Sequence, residues 1–369
     1  MIQLTKALVT KALVTKKLRT SHQIEPPDFT RRPGVIRLTD RLRSCGISFR
    51  YIGGAVRDHL LGRAVGDLDL AVRTSADDLV LQLRQFGFKC LTHGLSHGVV
   101  TVQIDGTGFD LACLRRDLQG LGRHAITEPC DDWLTDAARR DFTVNALALD
   151  EHHHLFDYHG GLADLGQKRL RFIGVAEQRI AEDYLRILRY FRLAGELGWD
   201  CAPCPEVMEA IMVHRNGLLQ LSPARIGAEL LRLLAVPDPC PIISQMGALE
   251  LWPLLGGALM PTKLNEGALG RFLETEPKCD ELDWWMAGRI YALFGKASLD
   301  LRRHWAWPCG IDEKLVVLDR ELILLHRQPN RIAGKLPGMV ALSEMVALSL
   351  WQARHHDLNK SLQKASQHV

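Results

Sequence analysis

The chain has 369 residues, 47% hydrophobic and 24% charged, with a formal net charge of +3 at pH 7. That is an ordinary globular composition with length for two or three domains, and its mild basicity permits a nucleic-acid partner without arguing for one. No run of eighteen apolar residues occurs, which excludes a membrane helix from the reading, and nine scattered cysteines point to a reducing, cytoplasmic setting.

Residues 1–30 open with TKALVTKALVTKKLR, a repeated five-residue unit with no acid before Glu25. A five-residue step advances a helix by about 500°, so the apolar residues smear around the axis instead of forming a stripe. The stretch resembles a transit peptide poor in arginine, or a tandem repeat translated from an upstream start. In either case it is expected to be disordered and outside the fold.

From 31 to 172 helix and strand patterns mix. GVIRLTDRLRSCG carries Ile36, Leu38, Leu42 and Cys45 at helical spacing. SFRYIGG and DLDLAV read as short strands, and ADDLVLQLRQFGF as an amphipathic helix ending at Gly87. HGVVTVQIDGTGFDLACL reads as two strands around an Asp-Gly turn. The histidine cluster in EHHHLFDYHGG is read as a polar hairpin. The single CxxC, Cys201 to Cys204, lacks the second pair that a zinc site needs.

After Ile173 the strand patterns stop. AEQRIAEDYLRILRYFRLAGELG predicts one long helix ending at Gly198, and SPARIGAELLRLLAVPDP a second with Pro223 in its first turn. The remainder reads as helices broken by prolines. Trp252, Trp284, Trp285, Trp305, Trp307 and Trp351 are expected to serve as core.

Four short patterns carry chemistry. In YIGGAVRDHLLGRAVGDLDLAV, residues 51–72, Asp67 and Asp69 alternate along a strand. They would project to one side about 6–7 Å apart. Two such carboxylates raise each other's pKa unless a cation sits with them, and Mg²⁺ suits one or two carboxylates plus phosphate oxygens. Gly53 and Gly54 would let backbone N–H groups approach a phosphate, with Arg57 following on a helix. Asp110, in GFDLACLRR, lies on a strand able to pair beside the first, either as a third acid or as an exposed strand residue. In AARRDFTVNALAL, Arg140 is a candidate triphosphate or ribose ligand, while Asp141 and Asn145 would fix the backbone. In EDYLRILRYFR, Asp183 and Arg186 are three apart on a helix, with Arg189 and Arg192 near the same face. An acceptor beside a donor matches the Watson–Crick edge of cytosine or adenine; an i,i+3 surface salt bridge is the plain alternative.

With these residues in order, the chain resembles the class II tRNA nucleotidyltransferase and bacterial poly(A) polymerase family. GGAVRDHLLGRAVGDLDL, RRDFTVNALAL and RIAEDYLRILRYFRLAGELG match its motifs, and LSPARIGAELLRLL looks like a later one. The likeness covers roughly 48–236. It implies an α+β chain: a polymerase-β-like nucleotidyltransferase head over 31–172, then an all-α neck over 173–236 and a helical body and tail over 237–369. The implied activity is template-independent addition of CMP, CMP and AMP to a tRNA 3′ end from CTP and ATP. A poly(A) polymerase, or an inactive nucleotide- or RNA-binding protein, is the alternative. The resemblance implies two Mg²⁺ ions held by Asp67 and Asp69. It also implies catalytic acids Asp67, Asp69 and Asp110, and phosphate or ribose contacts from Gly53, Gly54, Arg57 and Arg140. Asp183 and Arg186 match the base-reading pair, and Arg189 and Arg192 the arginines beside it. No membrane and no obligate protein partner are implied. The chain departs from the pattern at Asp110, where the family usually has Glu followed by two threonines, here Ala112 and Cys113. Val99 and Ala224 depart likewise, standing at positions usually Thr and Glu. The stretch AVRTSADDLVLQL lacks the Gly-basic-basic-Phe signature of the poly(A) polymerases, and the long connector before Arg139 is kept, which favours full CCA addition.

Overall fold

The computed structural model describes residues 22–119, 126–199, 204–261, 263–275, 282–327, 346–347 and 349–350. The chain divides into two compact units, one formed up to Asp183 and by 203–210, the other by 184–202 and from 211 onward.

In chain order the first unit runs β1 (His22–Gln23), α1 (Pro33–Ser44), β2 (Phe49–Ile52), α2 (Gly54–Leu60), β3 (Asp69–Val72), α3 (Ala76–Gln85), β4 (Lys89–Leu91), β5 (Val99–Ile104), β6 (Thr107–Cys113), β7 (Arg115–Gln119), β8 (Ile126–Pro129), α4 (Trp133–Ala138), β9 (Ala148–Asp150), β10 (His154–Phe156), α5 (Gly161–Gly166) and α6 (Ala176–Glu182). Eight strands form one mixed sheet in the order β1-β10-β9-β2-β3-β6-β5-β4, and β7 and β8 make a separate ribbon. Within the large sheet β3 and β6 are parallel neighbours. Alternation explains the layering. Val100, Val102 and Ile104 of β5 and Phe109, Leu111 and Cys113 of β6 are buried, while the residues between them keep access to solvent. The expected Asp-Gly turn joins these two strands, with both Asp105 and Gly106 at positive φ, as a two-residue type I′ hairpin requires. Helix α3 is capped by Ser75, whose hydroxyl accepts from the Asp78 N–H. The histidine-rich segment forms the β9–β10 turn, where Asp150 accepts from the His152 and His154 backbone.

Two boundaries differ from expectation. The extension predicted over 1–30 is too long, because β1 adds to the sheet edge against β10 and Phe29 is buried edge-on against Tyr51. A two-residue pairing and one aromatic leave no periodic signal. The second difference is the long helix predicted from 176 to 197. It breaks at Asp183, which is extended at φ −152°, ψ 106°, between α6 and α7 (Leu185–Leu197). Both residues at the break are compatible with a helix by propensity, so tertiary packing decides. The Tyr184 ring lies directly on Gly217, where any side chain would collide with it. The first compact unit runs through to Asp183, so 173–183 groups with it.

The second unit continues with α8 (Pro205–His214, whose residues through Ala210 belong to the first unit), α9 (Pro223–Leu234), α10 (Cys240–Ala248), α11 (Trp252–Gly256), α12 (Glu266–Thr275), α13 (Leu282–Phe294), α14 (Ser298–His304) and α15 (Cys309–Arg327). Its regular elements among the described residues are helical. Trp252, Trp305 and Trp307 are buried, and each indole N–H reaches a backbone carbonyl, of Ile243, Leu255 and Gly227 respectively. The side chains of Trp284 and Trp285, together with Trp351 and Cys201, lie outside the described set. No single helix among the described residues is long and apolar enough to cross a membrane.

Candidate active site

Strand β2 runs into Gly53, whose φ of 71° and ψ of −136° only glycine adopts without strain. A Cβ at Gly53 would stand 3.8 Å from Asp69 Oδ2 and 3.9 Å from Arg140 Nη1. The turn therefore brings bare main chain, a carboxylate and a guanidinium to one place.

Asp69 opens β3. It stands in register with Ile52 of β2 on one side and Asp110 of β6 on the other, and Asp110 faces Thr101 of β5. The prediction that the Asp110 strand lies beside the DxD strand is met. Asp67, by contrast, sits in the bend before β3, so the strand expected to carry both acids starts at the second. The alternation survives: Asp67 and Asp69 are exposed, Leu68 and Leu70 buried.

The Asp69 side chain keeps access to solvent, yet the protein crowding around it desolvates the carboxylate. Its pKa is held above the ordinary value by that desolvation first, then by Asp110; Arg140 partly offsets this, and Asp67 adds to it. Like charges gathered at an accessible sheet edge fit a bound cation. Among the described residues no three His, Cys, Asp or Glu side chains converge on one point able to hold an ion. A divalent cation here would rest on Asp67 and Asp69, with water and phosphate completing its shell, which is the usual habit of Mg²⁺.

Arg140 follows α4 and is held by Asp136, Nη2 to Oδ2 at 3.3 Å. Asp136 is buried and also accepts from the Arg115 N–H. Arg139 turns to Asp117, Nε to Oδ1 at 2.6 Å. Arg179 of α6 donates to the carbonyls of both Arg139 and Arg140 at 2.8 and 2.7 Å, fixing the segment from behind. Neither Asp136 nor Arg179 was singled out in the sequence. The i,i+4 spacing from Asp136, on a short helix, to Arg140 just past its end was the available signal.

Arg57, expected as a phosphate contact, already has partners within the protein. It is buried, donates to both oxygens of Asp58 at 2.9 Å and to Asn145 Oδ1 at 2.7 Å, and packs beneath Gly54. Asn145 in turn donates to Asp141, whose carboxylate accepts from the Phe142 N–H. Asp141 and Asn145 thus fix the backbone as predicted, and Arg57 ties that loop to the Gly53–Gly54 turn.

In the second unit Arg186, Arg189 and Arg192 lie on α7. Arg192 is buried and bonded to Glu229 of α9 at 2.6 Å and to Glu196 at 2.5 Å. Arg192, expected beside the nucleotide, has its charge engaged between helices in this structure. Arg189 Nη1 stands 4.0 Å from the other oxygen of Glu229. Asp183 and Arg186 do not share a helix, because Asp183 is extended beyond the end of α6 and Arg186 lies in the first turn of α7.

The sequence profile of the Poly A polymerase head domain matches residues 49–171, the stretch that carries the turn, the three acids and Arg140. The CCA-adding enzyme of Geobacillus thermodenitrificans is 32% identical over 316 residues, which are 85% of this chain and 68% of that protein. The chain belongs to the CCA-adding enzyme family. The human mitochondrial CCA tRNA nucleotidyltransferase 1 is 36% identical over 238 residues, 63% of this chain and 55% of the relative. The chain spans about half the length of the vertebrate relatives it matches. The structure of the Bacillus stearothermophilus CCA-adding enzyme in complex with CTP aligns at a TM-score of 0.69 and 26% identity, covering 90% of this chain and 78% of that one. The expected α+β architecture, a mixed-sheet head followed by a helical region, is the architecture of this family member.

Proposed function

We propose that this chain is a CCA tRNA nucleotidyltransferase that adds CMP, CMP and AMP from CTP and ATP to a tRNA 3′ end and releases pyrophosphate. The observation that carries the reading is the sheet edge where Asp69 and Asp110 stand in register, with Arg140 beside the Gly53 turn. The 32% identity to a CCA-adding enzyme over 85% of this chain supports the same reading.

In this reading the 3′-hydroxyl oxygen bonds to the α-phosphorus of the bound nucleotide as the bond to the bridging oxygen breaks and pyrophosphate departs. The bare main chain at Gly53 and Gly54 admits the triphosphate. Arg140, steadied by Asp136 and Arg179, meets its charge. Asp67 and Asp69 hold the Mg²⁺, and Asp110 stands beside them as the third acid. When bound, two such ions supply the positive charge that activates the hydroxyl and steadies the leaving pyrophosphate. Arg57 keeps the turn and the Asn145 loop in register. The base is read by Asp183 as acceptor and Arg186 as donor, and Arg189 adds charge from the same helix. Arg192 anchors α7 to α9 so that Arg186 and Arg189 project from a fixed helix. The tRNA binds through phosphate contacts to basic residues of the helical neck, body and tail, and its affinity falls steeply with salt.

The test is labelling of tRNA lacking its 3′ end by separately labelled CTP and ATP with Mg²⁺. Addition of C, C and A in order is expected. A long A tail would make the chain a poly(A) polymerase, partial addition would make it a CC- or A-adding enzyme, and no incorporation would leave a nucleotide- or RNA-binding protein.

A further inference from the structure

The register line across the sheet does not stop at the acids. It runs Ile52, Asp69, Asp110, Thr101 over four adjacent strands. Val99, Thr101 and Gln103 point to the solvent side of β5, as Asp110 and Ala112 do on β6, so Thr101 and Asp110 are direct neighbours on the face that carries the chemistry. The Thr101 hydroxyl donates to Asp110 Oδ1 at 2.5 Å. Among the described residues Thr101 is the one hydrogen-bond donor to that carboxylate, and Oδ2 is left to the site. One feature keeps the hydroxyl in place: a β-branched residue in a strand has a stiff χ1.

We propose that Thr101 is a positioning residue for the Asp110 carboxylate: its hydroxyl fixes one oxygen of Asp110 and thereby aims the other at the cation and nucleotide held by the neighbouring acids. The proposal rests on the reading of this sheet edge as the catalytic one. A charge-assisted hydrogen bond of this kind is roughly twice as strong as a neutral one, enough to select one rotamer of a short carboxylate. Without it the carboxylate turns between orientations, and the edge loses a pre-set acceptor at no cost to the sheet, because valine suits a strand as well as threonine does.

The experiment compares wild type, Thr101→Val, Thr101→Ala, Thr101→Ser and Asp110→Ala in the full chain. Four quantities are read: kcat and KM for CTP, the Mg²⁺ concentration giving half-maximal rate, and Mn²⁺ affinity of the nucleotide-free protein by electron paramagnetic resonance. Loss of an outer partner of this kind costs about 10- to 100-fold in metal affinity or activity. Thr101→Val and Thr101→Ala are expected to lose about that much in kcat, with KM for CTP little changed and Mn²⁺ bound more weakly. Thr101→Ser is expected to recover most of the loss. A serine variant as impaired as valine, or valine and alanine variants with wild-type kcat and Mn²⁺ affinity beside an inactive Asp110→Ala, would overturn the proposal. A fully active Asp110→Ala would instead overturn the reading of the edge on which it rests.

Discussion

Charge is handled in opposite ways in the two units. At the β3–β6 edge of the head, Asp67, Asp69 and Asp110 gather like charges, and the Asp69 pKa is raised by desolvation, by Asp110 and by Asp67. At the α7–α9 seam of the helical unit, Arg192 and Glu229 are both buried and bonded to each other. The first arrangement costs stability unless something positive joins it; the second is self-sufficient. Both clusters come from motifs with the same appearance in sequence, charged residues at regular spacing beside apolar ones. Where charges repel with only partial relief from Arg140, the arrangement suits a ligand of opposite charge. Where they cancel, the fold is holding itself.

The contrast can be broken by removing one member of each cluster. Asp67→Ala is expected to cost on the order of 4 kcal/mol of transition-state stabilisation, about a thousandfold in rate, with thermal unfolding unchanged. Single-turnover AMP addition measures it, and a near-normal rate would take Asp67 out of the chemistry. Glu229→Ala leaves the buried Arg192 with Glu196 as its remaining ion-pair partner, so the loss is expected to reach at most the about 3–5 kcal/mol of a buried charge left unpaired. Urea unfolding of the purified chain would show the loss, and an unchanged midpoint would mean that Glu196 suffices to hold Arg192. Two further variants sharpen the contrast from outside the clusters. Gly53→Ala forces a side chain into a backbone conformation costing on the order of 1–3 kcal/mol. It also sets a Cβ between Asp69 and Arg140, so KM for CTP is expected to rise along with the loss of stability. Arg37 makes two 2.8 Å contacts to Asp105, but both side chains are largely exposed. Arg37→Ala is therefore expected to change stability by less than about 1 kcal/mol, less still in high salt.

The head was legible because its signals are local. Alternation in HGVVTVQIDGTGFDLACL placed β5 and β6, and their pairing with DLDLAV put Asp110 beside Asp69. What the sequence did not show was which arginines are used up internally. Arg57, Arg140 and Arg192 look alike in the chain, yet their availability depends on Asn145, Asp136 and Glu229, which are 88, 4 and 37 residues away. The break at Asp183 was hidden for a related reason: EDYLR has the spacing and propensity of a continuous helix, while the packing of Tyr184 on Gly217, far along the chain, accompanies its interruption. Phe29 was missed because one buried aromatic in a polar stretch has no period to reveal it.

The central claim, that the like-charge edge exists for chemistry and not for stability, is tested most directly by one variant read in two ways. Asp69→Asn keeps the shape of the side chain and removes its charge. An acid whose folded pKa is raised above its unfolded value binds its proton more tightly when folded. Its charge therefore weighs against the fold once the pH has risen through the folded pKa, and this cost vanishes below the unfolded one. At pH 7 the amide removes that cost. Thermal unfolding and single-turnover CMP addition are measured on the same preparation. The account predicts a melting temperature equal to or above that of the wild type, with addition all but abolished. A clearly lowered melting temperature, or a rate near that of the wild type, would contradict it.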